Sequence, residues 1–139
     1  MKKILIVFAL LFSSYYSNAQ FGVSIHQSNL PFFGLNYGIG DLFLPELRVG
    51  TDNFFEDTSV ELCILYNFAQ TDVVDAYSGF GGRLNLLEGI VLPAGLNIYP
   101  FNNKAFGFHM ELSAIFLTDS GEDGTILRGS WGIRYRFVE

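Results

Sequence analysis

The chain has 139 residues, a formal net charge of −6, and a composition that is 50% hydrophobic and 17% aromatic. This length holds one domain and is too short for two. An acidic chain with so few lysines offers no basic patch, which excludes nucleic acid as a partner. The only cysteine, Cys63, has no partner for an internal disulfide, so we expect an inert buried thiol.

The first nineteen residues predict a secretory signal peptide. Two lysines precede an uninterrupted apolar run, 4–12, and small residues at positions 17 and 19 suit a cleavage before Gln20. The apolar run has less than half of the ~20 residues that a membrane helix needs. We therefore predict a signal peptide over 1–19 and a single exported domain over 20–139.

Eight short runs of alternating apolar and polar residues follow, separated by turn residues. The predicted strand cores are 21–26, 32–40, 44–50, 59–68, 77–86, 90–99, 106–116 and 127–137. At roughly 9 to 11 residues per tilted membrane strand, eight strands fill most of the exported domain and leave room for short connections. Pro93 in the sixth run cannot donate a ladder hydrogen bond, so we expect a bulge or a strand end beside it.

Alternate positions in these runs sort into an apolar face and a polar face. The polar face is rich in glycine and carries all five arginines, whereas the apolar face carries most of the aromatic residues. An eight-stranded barrel is just filled by ordinary side chains, so this many rings must point outward. The pattern predicts an all-β fold: an antiparallel, up-and-down, eight-stranded transmembrane β-barrel with lipid outside and polar groups in the lumen.

Aromatic residues concentrate at the strand ends nearest the two chain termini, where an interfacial belt is expected. The predicted belt comprises Phe21, Tyr37, Tyr66, Phe68, Tyr99, Phe106, Phe108, Tyr135 and Phe137. With the N-terminus on the periplasmic side, two acidic connections, 51–58 and 118–125, are predicted to face the cell exterior.

The signal peptide, the eight amphipathic strands and the final run WGIRYRF together resemble the small outer-membrane β-barrels of the OmpX and OmpA transmembrane-domain type. The resemblance implies outer-membrane lipid as the surroundings and the barrel-assembly machinery as a partner. It also implies that the outward residues of the last strand, Trp131, Ile133, Tyr135 and Phe137, form the assembly signal. Val138 and Glu139 extend beyond the aromatic residue on which the family pattern usually ends.

Charged side chains in a narrow lumen must pair, because an isolated ion there keeps little of its hydration. The predicted lumen charge network comprises Glu46, Arg48, Glu61, Arg83, His109, Glu111, Arg128, Arg134 and Arg136. Arg134 and Glu111 are expected in one network because they lie on the last two strands. Such a network plugs the lumen, and wide channels need about sixteen strands, so we predict a non-porin barrel with a structural or surface-interaction role.

Two other functions remain open at this point. His26 and Ser28 resemble the His-x-Ser arrangement of lipid A deacylases, which motivates a barrel enzyme that modifies lipid A or phospholipid, although no partner Glu can be named. A soluble exported β-barrel that binds an apolar ligand is the other alternative. We assign no catalytic residue, and no extracellular ligand can be named.

Two further motifs have simpler explanations than catalysis or metal binding. His109 and Glu111 are more simply explained as a hydrogen-bonded couple in the lumen than as an acid/base pair. The run DSGEDG, 119–124, shares features with a calcium loop, but Gly121 takes a ligand position and Ser130 stands where a bidentate Glu is required. We therefore predict no metal and no cofactor.

Overall fold

The computed structural model describes residues 20–51, 58–118 and 124–137. They form eight strands: β1 Gln20–Ser28, β2 Phe32–Gly38, β3 Phe43–Gly50, β4 Val60–Gln70, β5 Val74–Leu84, β6 Gly89–Ile98, β7 Phe106–Leu117 and β8 Thr125–Arg136. Each strand pairs antiparallel with its sequence neighbours, and β1 also pairs with β8. The predicted closed, up-and-down, eight-stranded barrel is confirmed.

Several predictions fall outside the described residues. They are the signal peptide over 1–19, the main part of the acidic connections at 51–58 and 118–125, the calcium-loop resemblance over 119–124, and the overhang of Val138 and Glu139. None of the described residues forms a helix long and apolar enough to cross a membrane.

The two faces of the sheet differ as the alternation predicts. Large apolar side chains point outward and stay exposed, as at Trp131, which is 65% exposed, while Arg48 is fully buried inside. One residue of the predicted aromatic belt is wrong: Tyr99 is only 3% exposed. It follows the inward-facing Asn97 by two residues, so the period of the strand turns its ring inward.

The connections divide between two ends of the barrel. We call the end where β1 begins and β8 finishes the termini end, and the opposite one the far end. Three connections lie at the termini end, 39–42, 71–73 and 99–105. The connections 29–31 and 85–88 lie at the far end, where β3 and β7 also end and β4 and β8 begin.

Pro93 lies within β6 without ending it, so the expected bulge or strand end is wrong. The β5–β6 register is the same on both sides, with Ser78 opposite Ala94 and Gly81 opposite Val91. On the β5 side, only Gly79 and Phe80 lack ladder partners; they lie opposite Pro93 and Leu92. This short gap in the ladder accommodates the N–H that proline lacks. The one register shift among the pairs described lies between β4 and β5, near Asn67.

Candidate functional site in the barrel lumen

An ion pair crosses the middle of the lumen. Arg48 on β3 meets Glu111 on β7, which lies on the opposite wall, four strands away. The two guanidinium nitrogens donate to the two carboxylate oxygens at 2.9 and 2.7 Å, while Nε of Arg48 donates to Glu46 at 2.7 Å. A bidentate arginine–carboxylate pair fixes geometry as well as charge, so this contact braces the two walls against each other.

A second brace crosses the lumen nearer the far end. Arg128 on β8 contacts both carboxylate oxygens of Glu61 on β4, again the opposite wall, at 2.5 and 3.0 Å. Arg83, the neighbour of Glu61 across the β4–β5 ladder, donates to the same carboxylate at 2.7 Å. Arg48 lies 3.6 Å from Glu61, which joins the two braces into one cluster.

Arg134 connects to this cluster through Glu46, to which it donates at 2.8 Å, and it also donates to Asn97 at 3.2 Å. Arg134 and Glu111 therefore share one connected set of contacts, through Glu46 and Arg48, but they are not direct partners. We call this set the lumen charge cluster; its members are Glu46, Arg48, Glu61, Arg83, Glu111, Arg128 and Arg134. It holds four arginines and three glutamates.

The two other residues proposed for the network lie elsewhere. Arg136 is half-buried at the termini end, with its guanidinium carbon 6.0 Å from the centre of the Tyr99 ring. His109 makes no ion pair and no hydrogen bond among the described residues, so the predicted hydrogen-bonded couple with Glu111 is wrong. Its ring instead lies against His26, with ring centroids 3.9 Å apart.

The rings of His26 and His109 are in contact beside Gly132. Gly132 on β8 pairs with His26 on one side and His109 on the other, so its missing side chain leaves both rings room to touch. A Cβ there would lie 1.8 Å from the Ile25 carbonyl oxygen and 3.1 Å from the His109 ring. Phe32 covers the other side of His26 at a centroid distance of 3.9 Å. The lumen at this level is solidly packed.

The residue types of a hydrolytic triad do come together in the lumen, but not in a working order. Nε2 of His26 lies 3.0 Å from the Ser24 hydroxyl and 3.7 Å from Glu46, so one nitrogen faces both groups. A triad needs the acid on the other nitrogen. All three side chains are buried, which leaves no path for a substrate. The Ser28 hydroxyl accepts the Leu30 N–H, and no hydrogen bond joins it to His26.

Apolar residues inside the lumen escaped the sequence argument. Leu44, Cys63, Leu65, Tyr77, Val91 and Ile115 form a buried cluster along one side of the interior. Tyr77 connects this apolar cluster to the lumen charge cluster, because its hydroxyl donates to Glu111 at 2.8 Å. The signal for this cluster is the uninterrupted apolar run 62–66 in β4, where both faces of the strand are apolar.

The lumen opens at the termini end. Two cavities of about 540 and 180 Å³ adjoin there and share Gln20, Asp41, Lys104 and Arg136. We call this space the vestibule. Lys104 donates to Asp75 at 2.8 Å on its wall. Among the residues that the structure describes, no group of three or more His, Cys, Asp or Glu side chains is placed to hold a metal ion.

These features define a class of protein: closed antiparallel eight-stranded barrels with an apolar outer wall and an ion-paired lumen. No family model matches the chain, and no curated protein is significantly similar to it.

Solved structures share the fold. A structure from work on the design of transmembrane β-barrels superposes with a TM-score of 0.63 at 12% identity, covering 86% of this chain and 94% of the other. The designed protein TMB2.3 gives 0.60 at 13% identity, covering 88% and 96%. The N-terminal β-barrel domain of Pseudomonas aeruginosa OprF gives 0.62 at 16% identity, covering 87% and 98%. The resemblance to the small outer-membrane barrel type is thus confirmed as a likeness of fold.

Proposed function

We propose that this protein is a small, non-conducting integral barrel of the bacterial outer membrane with a structural or surface-interaction role. The observation that carries the proposal is the outer wall, where large apolar side chains remain exposed around the whole barrel. Examples on separate strands are Ile25, Leu62, Phe80, Met110 and Trp131. An exposed apolar surface of this extent marks contact with lipid or another apolar phase, and a closed barrel leaves no unpaired backbone edge in it.

The braced lumen supports a non-porin. Arg48–Glu111 and Arg128–Glu61 each join opposite walls, so side chains occupy the axis along which ions would pass. The same interior argues against a soluble barrel that carries an apolar ligand, because such a barrel would place its apolar face inside and its charges outside.

The lipid-modifying alternative gains no support from the geometry. His26 faces the closed lumen, and its hydrogen bond goes to Ser24 and not to Ser28. We therefore propose no enzymatic activity.

The decisive experiment uses Trp131, the only tryptophan in the chain. Trp131 lies five residues before the end of β8. At ~3.3 Å per residue and a strand tilt near 45°, it is roughly 12 Å from that strand end along the membrane normal, inside the hydrocarbon layer. In lipid vesicles we expect a blue-shifted emission that is quenched by lipids brominated deep in their acyl chains, while aqueous iodide has little effect.

The matched control moves the reporter to the barrel end. A Trp131→Phe, Phe101→Trp variant carries its indole in the exposed 99–105 connection, and iodide should quench it while deep bromine should not. Strong iodide quenching of Trp131 with no response to brominated lipid would contradict the membrane barrel. So would recovery of the mature protein in a detergent-free periplasmic supernatant.

We also propose that the last strand is the signal for the barrel-assembly machinery. Trp131, Ile133, Tyr135 and Phe137 all lie on the outer wall, and Phe137 packs on Phe21 with ring centroids 5.8 Å apart. Phe137→Asp should leave signal cleavage intact and reduce the membrane-inserted fraction. Phe101→Asp, which changes another exposed aromatic residue in the 99–105 connection, is the control. Normal insertion of Phe137→Asp would exclude this role.

A further inference from the structure

The vestibule is a pocket whose surrounding connections are joined by hydrogen bonds to neighbouring strands and to one another. The 39–42 turn is fixed by Asn67 and Gln70, whose side-chain amides both donate to the Asp41 carbonyl. The 99–105 and 71–73 connections are joined by the Tyr99 N–H, which donates to the Val73 carbonyl at 2.7 Å. A larger cavity of about 540 Å³ lies within the usual range for small-ligand sites.

Lys104 gives the wall an unusual backbone. Its φ is +51°, a left-handed conformation that is uncommon for a residue with a side chain. This conformation accompanies the contact of its ammonium with Asp75, and it leaves the ammonium 5.3 Å from the Tyr99 ring centre.

The base of the vestibule has a cation without a carboxylate partner. Arg136 has no carboxylate within 4.0 Å among the described residues. The Tyr99 hydroxyl behind it makes no well-formed hydrogen bond there, and burial together with the neighbouring Asp75 carboxylate raises its pKa, so the hydroxyl keeps its proton. The lumen charge cluster just inside carries one more arginine than glutamates. All of these features favour a bound carboxylate next to Arg136.

The opposite side of the mouth is acidic. Asp72 lies in the 71–73 turn between β4 and β5, which is across the barrel from Arg136 on β8. Asp72 and Asp41 are exposed, line the larger cavity, and have no cation within 4.0 Å in the described part of the chain. This side favours an ammonium group.

We propose that the vestibule binds short peptides with free termini, with the peptide carboxylate on Arg136 and the peptide ammonium on Asp72 and Asp41. The placement of the two charges on opposite sides of the mouth favours a peptide over a single amino acid, because a peptide separates its ammonium and carboxylate by at least one further residue. This binding site goes beyond the structural role proposed above and does not depend on which way the barrel faces.

The test titrates four probes into the full mature protein in detergent micelles, with binding followed by amide chemical shifts of vestibule residues. Dialanine carries both charges, N-acetyl-dialanine lacks the ammonium, dialanine amide lacks the carboxylate, and free alanine cannot span the mouth. We expect dialanine to bind about tenfold more tightly than each of the other three, the ratio expected when one charge-assisted contact is lost.

Two variants assign the charges. Arg136→Gln should abolish the preference for dialanine over its amide, and Asp72→Asn should reduce the preference for dialanine over N-acetyl-dialanine. Because Asp72 is exposed in a turn, we expect Asp72→Asn to fold. This variant therefore tests the proposal even if Arg136→Gln does not fold. Glu88→Gln, an exposed carboxylate at the far end, is the control that should change nothing. Absence of saturable dialanine binding, equal affinity for all four probes, or unchanged preferences in both variants would overturn the proposal.

Discussion

The middle of the lumen and the vestibule are built from the same polar face, yet one is filled and the other is open. In the middle, the partners come from opposite walls, as in Arg48–Glu111, so the side chains cross the axis. In the vestibule, Lys104 pairs with Asp75 at the rim and leaves the axis free. The difference shows that the path of an ion pair, and not the number of charges, decides whether a small barrel is plugged.

The largest expected effect comes from breaking a brace. Glu111→Gln removes the charge opposite Arg48 and should lower the free energy of unfolding by about 3 kcal/mol, since a buried cation is left underpaired. Asp75→Asn, the matched change in the vestibule, should cost less than about 1 kcal/mol because Lys104 remains partly in water. Urea unfolding in lipid vesicles, followed by Trp131 fluorescence, measures both. Equal losses would show that the two regions do not differ energetically.

A smaller loss should follow from filling the space between the histidines. Gly132→Ala places a methyl group against the Ile25 carbonyl and the His109 ring, and should cost about 2 kcal/mol by overpacking. Gly129→Ala on the same strand meets no atom within 4 Å and should cost nothing. The same unfolding assay compares the two. An unchanged stability of Gly132→Ala would mean that the centre of the lumen is not tightly packed.

The smallest expected effect is a coupling energy that distinguishes the direct partner of Arg134 from an indirect one. In double-mutant cycles, Arg134→Met with Glu46→Gln should show a coupling of about 1 kcal/mol, because the two side chains share a hydrogen bond. Arg134→Met with Glu111→Gln should show less, because Glu46 and Arg48 lie between them. A larger coupling for the second pair would contradict the connectivity described here.

Alternation along the chain predicted the strands and their faces because each side chain in a strand points to one side or the other. It could not predict which charges pair, since Arg48 and Glu111 are brought together by barrel closure and not by local sequence. The inward Tyr99 illustrates a different limit. Its ring was assigned to the outer belt from its position at a strand end, although the period of β6 turns it inward.

The apolar cluster in the lumen was missed for a third reason. Where both faces of a strand are apolar, as in the run 62–66, alternation carries no information about which residues are inside. Available volume then decides which residues are inside, and Cys63 and Leu65 are accommodated because their partners on the adjacent strand β5, Gly81 and Gly79, have no side chains.

The long-range ion pairs of the lumen also bear on how quickly the barrel unfolds once it has formed. Their partners are 63, 67 and 88 residues apart in the chain for Arg48–Glu111, Arg128–Glu61 and Arg134–Glu46. Arg128 and Arg134 lie on β8, the last strand to be added, so we expect their ion pairs to form after the main barrier to folding has been crossed. Interactions absent from the transition state slow unfolding without speeding folding. We therefore expect the ion pairs made by β8 to slow the unfolding of the finished barrel and to leave its rate of insertion unchanged.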